Sequence, residues 1–407
     1  MTEHLYYTDA YTTEFDATVV AVTTLDGELA VALDRSYFYP TSGGQPNDTG
    51  RLGDPANLNV VVDVVAQDGA ILHVLEGSVT LQPGDAVRGV IDWPRRFDHM
   101  QQHSGQHLLS QVFYRAFDFE TVSVHFGAEE STLDLDAATI TPEQLAQAEA
   151  QANDLVYAGL PITAYFVDET NIDSVPLRRP PKVTGQIRIV EIAAFDYSAC
   201  GGTHVRTTAE LGPVKLIRQE RRRGQTRVTF LCGKRAVADY ARKHALLTEI
   251  AAIFSTDVGQ TPTLVARGQE QVKELQHRVD ELTAAQLAQT AASLVAAAPL
   301  VGATRVVAHL LSDQPVDTAK TLANQIQAQG ATVALLACSQ NDKATVIFAR
   351  SDDAPGHMGN LLRAALKAFG GGGGGRPEFA QGGGVAVTDL PALLDFAAQE
   401  YARMVNA

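Results

Sequence analysis

The segment DHMQQHSGQH, residues 98–107, places three histidines four residues apart, His99, His103 and His107. It lies within residues 94–117, whose pattern predicts an α-helix. On a helix, residues four apart are separated by roughly 40° around the axis and residues eight apart by roughly 80°. Either His99 with His103 or His103 with His107 can therefore share one metal ion, and helical geometry does not choose between the two pairs.

The patterns around this segment change along the chain. Residues 1–92 contain short runs of Val, Leu and Ile that Gly or Asp-Gly interrupts, which predicts β-strands. After the histidine segment, a helix is predicted from the N-cap Thr141, which Pro142 follows. A strand, GQIRIVEIAAFD, then leads into the loop YSACGGTH, and an arginine-rich turn joins the two strands of a predicted hairpin.

The C-terminal part has a different pattern. Residues 261–296 are predicted to be helical, and Val265, Val272 and Val279 recur every seven residues. Two to three heptads suit a packed arm or an antiparallel helix pair as well as a coiled coil. From about residue 300 strands and helices alternate, with six glycines at 370–375, which predicts a separate small α/β domain.

Composition limits the class of protein. The chain has 407 residues, 45% of them hydrophobic, with a net charge of −15. That charge argues against indiscriminate nucleic-acid binding, so any contact with nucleic acid has to be local. The sequence has no apolar run of the roughly 18–20 residues that span a bilayer and no signal-peptide pattern. The three cysteines fit a reducing compartment. We therefore expect a cytoplasmic protein without membrane contact.

A second candidate ligand pair lies in CGGTH, residues 200–204. The two glycines allow the backbone to bring Cys200 and His204 to one point. Neutral imidazole and thiolate suit a borderline-soft ion such as zinc. A helical histidine pair and this loop pair together predict a four-ligand metal site.

Two enzyme classes can be tested on the same residues. A zincin protease needs Glu directly after the first histidine of its motif, whereas Ser104 follows His103 and Met100 follows His99, so that class fails. A hydrolase with Cys200 as nucleophile and a histidine base would leave the helical histidines without a role.

The motifs together resemble a known family. HSGQH followed by CGGTH resembles the editing domain of alanyl-tRNA synthetase and its free-standing relatives, the AlaX proteins. FYPTSGGQPNDTG looks like the glycine-rich motif of that family, and GGGGGGRPEFAQGGG is similar to the C-terminal domain of alanyl-tRNA synthetase, which is also found on DHH phosphoesterases. A DHH phosphoesterase also needs an Asp-rich metal domain, and this chain has only the isolated DHM at 98–100. The resemblance covers nearly the whole chain in the order of the long AlaX form.

The resemblance implies trans-editing, the hydrolysis of the ester between tRNA(Ala) and a wrongly attached serine or glycine, with Ala-tRNA(Ala) spared. It implies one Zn²⁺ per chain and leaves His99 outside the ligand motif. Many relatives have Glu at the position of Thr41, so the resemblance assigns no role to Thr41. Many relatives also have Thr at the position of Ser36; serine keeps the hydroxyl but lacks the methyl group, which loosens the expected pocket there. By position, the metal ligands match His103, His107, Cys200 and His204.

A substrate pocket is expected beside the metal. Ser36 and Gln45 are expected to bind the serine hydroxyl, and Gly43 and Gly44 to border the pocket. Alanine would leave buried polar groups unpaired there, which is the basis of discrimination. The sequence names no general base, so we expect a metal-bound water to act. Four protein ligands would close the metal's coordination, and a catalytic or a structural zinc are both compatible with the sequence.

Arginines in three places are the expected tRNA contacts, with solvated surface arginines as the alternative. Two of these arginines lie in LRRPPK, three lie in the turn of the predicted hairpin, and one lies in the glycine-rich segment near the C-terminus. They are Arg178 and Arg179, then Arg221, Arg222 and Arg223, then Arg376.

The expected fold is α+β, with a β-barrel-like N-terminal subdomain, an α/β editing core with the zinc site, a helical linker and a small C-terminal α/β domain. The expected boundaries are 1–92, 93–240, 241–298 and 299–407. The linker or the C-terminal domain is the expected contact of a homodimer. The competing function is a non-catalytic tRNA-binding protein with a structural zinc.

Overall fold

The computed structural model describes residues 2–77 and 80–406. The protein is a mixed α/β chain that divides into two compact units, Met1–Ala252 and Ile253–Ala407. The finer domain boundaries given above stay a prediction. Within the described ranges, no helix combines the length and the apolar character that a membrane crossing requires.

The N-terminal strands close into a six-stranded barrel, which confirms the barrel-like prediction for this region. The barrel order is β2-β3-β7-β6-β5-β8, and β1 pairs with β4 in a separate parallel pair. Every second side chain of a strand points inward, and Phe15, Leu33, Phe38, Leu52 and Val64 fill the interior. The strands are β1 (Glu3–His4), β2 (Glu14–Leu25), β3 (Glu28–Leu33), β4 (Arg35–Ser36), β5 (Gly50–Asp54), β6 (Asn57–Gln67), β7 (Ala70–Leu75) and β8 (Ala86–Ile91).

The rest of the first unit is built around a long buried helix. This part contains two antiparallel sheets, ordered β14-β15-β10-β9 and β11-β12-β13. Its elements are α1 (Trp93–Phe117), β9 (Thr121–Phe126), β10 (Ser131–Leu135), α2 (Pro142–Ala158), β11 (Ile162–Asp168), β12 (Gln186–Ile192), β13 (Asp196–Ala199), β14 (Val214–Arg222), β15 (Gln225–Cys232) and α3 (Lys234–Ile253).

Helix α1 begins and ends with clear capping signals. The side chain of Asp92 accepts a hydrogen bond from the backbone N–H of Arg95, and Asp118 takes a left-handed conformation at the C-terminus. Most of the helix between His99 and Phe113 is buried, polar side chains included. Buried polar groups need partners, and the Gln102 amide accordingly bonds both backbone groups of Cys232 in β15.

The second unit is an α/β layer structure whose sheet has the order β16-β17-β18-β19-β21-β20. One apolar cluster lies between the sheet and α4 with α5, and another lies between the sheet and α6 with α7. The elements are α4 (Thr261–Ala297), β16 (Leu300–Val301), β17 (Thr304–Leu311), α5 (Val316–Gln327), β18 (Thr332–Gln340), β19 (Lys343–Arg350), α6 (Met358–Ala368), β20 (Gly372–Gly375), β21 (Phe379–Gly383) and α7 (Leu390–Asn406).

The glycine run forms an edge strand. β20 pairs with β21, and a Cβ at Gly373 would come within 2.5 Å of the backbone of Gly382, so only glycine fits this side of the hairpin. On the other side, a Cβ at Gly372 or Gly374 would meet open space. The run is therefore ordered by its pairing with β21.

Candidate metal centre and adjoining cavity

Four side chains from two segments meet inside the first unit. His103 and His107 are buried on α1, and Cys200 and His204 belong to the loop that follows β13. One candidate ligand atom from each residue lies within 4.8 Å of the other three. The Cys200 Sγ lies 3.4 Å from Nε2 of His103 and 3.4 Å from Nε2 of His204. The two segments therefore form one His₃Cys cluster.

Each histidine of the cluster makes a hydrogen bond through Nδ1, the ring nitrogen that does not face the cluster. For His103 the partner is Oε1 of Gln45 at 2.7 Å, and that oxygen also accepts the backbone N–H of Thr203. For His204 the partner is Oγ of Ser104 at 3.0 Å. An imidazole that donates through Nδ1 presents the lone pair of Nε2, and metal-binding histidines are commonly fixed in this way.

For the third histidine, His107, the partner of Nδ1 is a carboxylate. Its Nδ1 lies 3.3 Å from Oδ2 of Asp196, which is fully buried. A buried ionised carboxylate only accepts, so Nδ1 of His107 is the donor. All three imidazoles thus have one nitrogen engaged with the surrounding protein and Nε2 available for the cluster.

The charges at the cluster favour a cation. Burial by itself would raise the pKa of the Cys200 thiol, but His103 and His204 lower that pKa well below its usual range. Burial likewise opposes a charge on His107, yet Asp196 and Cys200 raise its pKa to about 9. Burial lowers the pKa of His204 to about 3. Because thiolate and neutral imidazole are the ligand forms that zinc takes up, the donor set fits a borderline-soft divalent ion that displaces a proton.

Close packing requires a glycine at the second of the two glycine positions of CGGTH. A Cβ at Gly202 would lie 2.2 Å from Cε1 of His103, so this position admits only glycine. A Cβ at Gly201 would have no contact closer than 3.6 Å, to the ring of Tyr7. Arg188 fixes the loop from the other side, because its Nη1 donates to the carbonyls of Cys200 and Gly202 at 2.9 Å each.

A buried ion pair attaches the glycine-rich loop of the barrel to α1. The guanidinium of Arg96 donates to both carboxylate oxygens of Asp48, to the carbonyl of Ala10 and to the carbonyl of Tyr37. Both charged side chains are fully buried. Gln45 is therefore brought to His103 by a loop with a fixed position.

A cavity of about 550 Å³ opens beside the cluster. His107 and Cys200 form part of its wall, and the rings of Tyr7 and Phe166 meet edge to face with 6.1 Å between their centroids. Four basic side chains also line the wall, together with uncharged residues such as Pro180, Pro181 and Val183, a composition suited to an anionic ligand with a flat apolar part. The basic side chains are Arg178, Arg179, Lys182 and Arg188.

The predicted substrate residues have different surroundings. Gln45 contacts the cluster, whereas Gly43 and Gly44 take left-handed conformations in the turn before it, with Gly44 against the ring of Phe126. The buried hydroxyl of Ser36 lies 2.8 Å from Nε2 of His73 and accepts from the N–H of Phe38. The other ring nitrogen of His73 donates to a backbone carbonyl at 2.9 Å, so the Ser36 hydroxyl is the donor to His73. None of the four predicted substrate residues, Ser36, Gly43, Gly44 and Gln45, forms part of the cavity wall.

His99 lies outside the cluster, as the resemblance implied. It is buried, and within the described part of the chain neither of its ring nitrogens has a hydrogen-bond partner. Thr41 accepts a bond from the backbone of Asn47 in the same loop.

The predicted tRNA-binding arginines belong to different elements of the chain. Arg178 faces Asp196, and Arg179 pairs with Glu120 on the surface. Arg221, Arg222 and Arg223 lie on the β14–β15 hairpin, and Arg376 lies in the turn between β20 and β21. Only the first two line the cavity.

Sequence reasoning did not identify Asp196, Ser104 or Arg188. Each acts through contacts with residues 12 to 100 positions away, which no local spacing reveals. The available signals were weak: Asp196 begins the strand that leads to Cys200, and Ser104 follows His103 directly.

Comparison with known proteins agrees with this arrangement. Family models match at residues 2–95 (tRNA synthetases class II (A)), 187–229 (threonyl and alanyl tRNA synthetase second additional domain) and 304–403 (DHHA1 domain). The fold and the cluster thus define a chain of the alanyl-tRNA synthetase editing class.

Individual relatives narrow this class. The alanyl-tRNA editing protein AlaX-L of Pyrococcus horikoshii is 30% identical, over 94% of each chain. AlaX-M of Methanosarcina barkeri is 37% identical over 56% of this chain and 98% of its own length. The alanine–tRNA ligase of Methanothrix thermoacetophila is 32% identical over 97% of this chain, which spans 44% of the ligase. The chain belongs to the AlaX family of alanyl-tRNA editing proteins, in its long form.

Proposed function

We propose that this chain is a trans-editing aminoacyl-tRNA deacylase that hydrolyses Ser-tRNA(Ala), and also Gly-tRNA(Ala), and spares Ala-tRNA(Ala). The observation that carries the proposal is the His₃Cys cluster with its ligand atoms within 4.8 Å of one another at the wall of a basic cavity. The AlaX relatives, which are named as alanyl-tRNA editing proteins, support it.

The proposed metal is one Zn²⁺, held by His103, His107, Cys200 and His204. Three imidazoles and a thiolate are a donor set that zinc takes in preference to harder cations. When bound, zinc would lower the pKa of a water molecule or polarise the ester carbonyl.

The residues of the chain supply orientation and binding. Gln45, Ser104 and Asp196 keep each Nε2 directed at the centre. Arg179 and Lys182 supply positive charge at the cavity for the phosphates of the tRNA 3′ end, and the rings of Tyr7 and Phe166 form an apolar wall against which a base can lie. Because the chain as a whole has a charge of −15, we assign tRNA affinity to such local patches, Arg221–Arg223 and Arg376 included.

Selectivity for serine over alanine requires a polar group that the seryl hydroxyl satisfies. Gln45 is 1% exposed and does not line the cavity, and one of its amide hydrogens donates to Oγ1 of Thr203. We propose that its second amide hydrogen binds the seryl hydroxyl. Ser36 stays a predicted substrate contact, although its hydroxyl already donates to His73. A Ser36→Ala variant that folds and still separates seryl from alanyl esters would remove Ser36 from this role.

One observation favours a second candidate, a non-catalytic tRNA-binding protein with a structural zinc. The cluster offers four protein ligands, and catalytic zinc usually keeps one position open. Both candidates include metal and tRNA binding, and only the enzyme accelerates ester hydrolysis.

The test measures hydrolysis by zinc-loaded protein of Ser-tRNA(Ala) and Ala-tRNA(Ala), with Cys200→Ala and His99→Ala as a matched pair. We expect the Cys200 variant to lose metal and seryl-ester hydrolysis, and the His99 variant to keep both. Activity that is lost in the His99 variant and kept in the Cys200 variant would overturn the ligand assignment.

A further inference from the structure

A buried carboxylate connects the metal cluster to the cavity wall. Asp196 is fully buried at the first position of β13, and its Oδ2 accepts from Nδ1 of His107 at 3.3 Å and from Oγ of Ser198 at 2.8 Å. Its other oxygen, Oδ1, lies 3.2 Å from Nε of Arg178. The carboxylate therefore has a cation on one side and an imidazole donor on the other.

Arg178 is largely committed to this arrangement. Only 13% of its side chain is exposed, and Nη2 donates to Oγ of Ser198 at 3.2 Å. The guanidinium thus approaches both members of the Asp196–Ser198 pair. The neighbouring Arg179 has 45% of its side chain exposed and pairs with the surface carboxylate of Glu120. The two consecutive arginines at the cavity have different surroundings.

We propose that Asp196 and Arg178 are positioning residues of the metal centre: Asp196 orients His107, and Arg178 holds Asp196 in place. This inference rests on the proposed function, because it takes the His₃Cys cluster to be the metal site. It deepens that function by assigning Arg178 to the centre instead of to the tRNA.

The geometry explains why a carboxylate is needed. Oδ2 of Asp196 accepts from His107, and Oδ1 faces the guanidinium of Arg178 at 3.2 Å in an ion pair that lacks hydrogen-bond geometry. Asparagine has one accepting atom and one donating atom, so either orientation of its amide would place a donor against a donor. An Asp196→Asn variant therefore keeps the shape of the side chain and loses the hold on one of its two partners.

The first experiment measures Zn²⁺ affinity by competition with a chromophoric chelator for wild type and Asp196→Asn. We expect affinity to fall by about 10- to 100-fold, the usual effect of removing an outer partner of a metal ligand. The visible absorption of the Co²⁺-substituted protein, which reports ligand geometry, is expected to change as well. The same spectrum in both proteins together with an affinity within twofold would overturn the inference.

A matched control is present in the same unit. Asp134 accepts from Oγ of Ser123 at 2.6 Å and from Nε and Nη2 of Arg227 at 2.6 and 2.8 Å, so it repeats the Asp–Ser–Arg arrangement without a histidine. Asp134→Asn is expected to leave Zn²⁺ affinity and the Co²⁺ spectrum unchanged. An equal loss of affinity in this variant would show a general effect of buried charge and would contradict the inference.

The second experiment compares Arg178→Gln with Arg179→Gln and remains decisive if Asp196→Asn does not fold. A positioning role predicts that Arg178→Gln lowers Zn²⁺ affinity by at least about threefold while Arg179→Gln leaves it unchanged. If Arg178 acts only on tRNA, Zn²⁺ affinity stays at the wild-type value in both variants, and the inference is wrong.

These readouts separate the inference from the proposed function. Zn²⁺ affinity and the Co²⁺ spectrum need no tRNA and no turnover. If wild type does not hydrolyse Ser-tRNA(Ala) while Asp196→Asn binds Zn²⁺ more weakly than wild type, the proposed deacylase activity is refuted and the positioning role is supported. If wild type hydrolyses Ser-tRNA(Ala) while Asp196→Asn keeps the Zn²⁺ affinity of wild type, only the positioning role is refuted.

Discussion

Oε1 of Gln45 lies 2.7 Å from Nδ1 of His103, so the glycine-rich loop of the barrel holds a histidine of the His₃Cys cluster on α1. The same oxygen accepts from the backbone of Thr203 in the CGGTH loop. One amide therefore connects the three segments that build the site. This contact explains why the barrel loop, the helix and the CGGTH loop are needed together.

Replacing Gln45 is expected to weaken metal binding. Gln45→Ala removes the acceptor of His103 and should lower Zn²⁺ affinity by about 10- to 100-fold. Gln45→Glu keeps an accepting oxygen for both donors and should retain most of the affinity. Chelator competition measures both, with the exposed Gln67→Ala as control. Equal affinities for the Ala and Glu variants would contradict the role of the acceptor.

The two glycines of CGGTH should respond differently to a single added methyl group. Gly202→Ala would place Cβ 2.2 Å from Cε1 of His103, so His103 or the loop must move. We expect the loss of at least about tenfold in Zn²⁺ affinity, in the range found when a ligand's support is disturbed. Gly201→Ala, whose Cβ would have its nearest contact at 3.6 Å, should bind zinc normally. Titration of both variants checks the packing of this loop, and a normal affinity for Gly202→Ala would refute it.

Removing the buried cation that anchors the barrel loop should destabilise the first unit. Arg96→Met leaves the Asp48 carboxylate buried and unpaired, which typically costs about 3–5 kcal/mol in the free energy of unfolding. The only tryptophan, Trp93, begins α1 and reports unfolding of this unit by fluorescence in urea. Arg88→Met breaks an exposed pair with Asp16 and should leave the midpoint unchanged. Equal midpoints for the two variants would contradict the account of this anchor.

His99 should make stability depend on pH. Burial, assisted by the charge of Arg95, lowers its pKa from the ordinary value of 6.5 to about 4. Between these values the unfolded chain binds the proton and the folded chain does not, so stability falls as the pH decreases from 6.5 toward 4. The full effect is about 3 kcal/mol at roughly 1.4 kcal/mol per pKa unit.

A His99→Leu variant isolates this effect. Neither ring nitrogen of His99 has a partner in the described chain, so leucine breaks no hydrogen bond there. Urea unfolding at pH 7 and pH 4.5 should show a smaller loss of stability for the variant than for wild type. Parallel losses would show that His99 titrates normally in the folded protein.

The sequence was sufficient for features that depend on local pattern. The helix predicted over 94–117 is α1, and the N-cap predicted at Thr141 closes a capping box with Gln144. The two candidate ligand pairs meet in space because α1 and the CGGTH loop lie in one core. The choice of His103 and His107 over His99 came from family resemblance, since helical spacing treats the two pairs alike.

Features that depend on tertiary contacts were not predicted from the sequence. Asp196 and Ser104 matter because of histidines 89 and 100 residues away in the chain. The charge of Arg178 in LRRPPK predicts a contact with tRNA, whereas its pairing with Asp196 depends on the tertiary position of β13. The glycine run could have been a flexible loop by composition, whereas pairing with β21 makes it a strand.

The central claim is tested most directly by the rates at which the zinc-loaded protein hydrolyses Ser-tRNA(Ala) and Ala-tRNA(Ala) at equal concentration. We expect rapid loss of the seryl ester, dependent on zinc and on Cys200, with the alanyl ester decaying at its spontaneous rate. Binding of tRNA with both esters decaying at their spontaneous rates would contradict it and would leave a tRNA-binding protein with a structural metal.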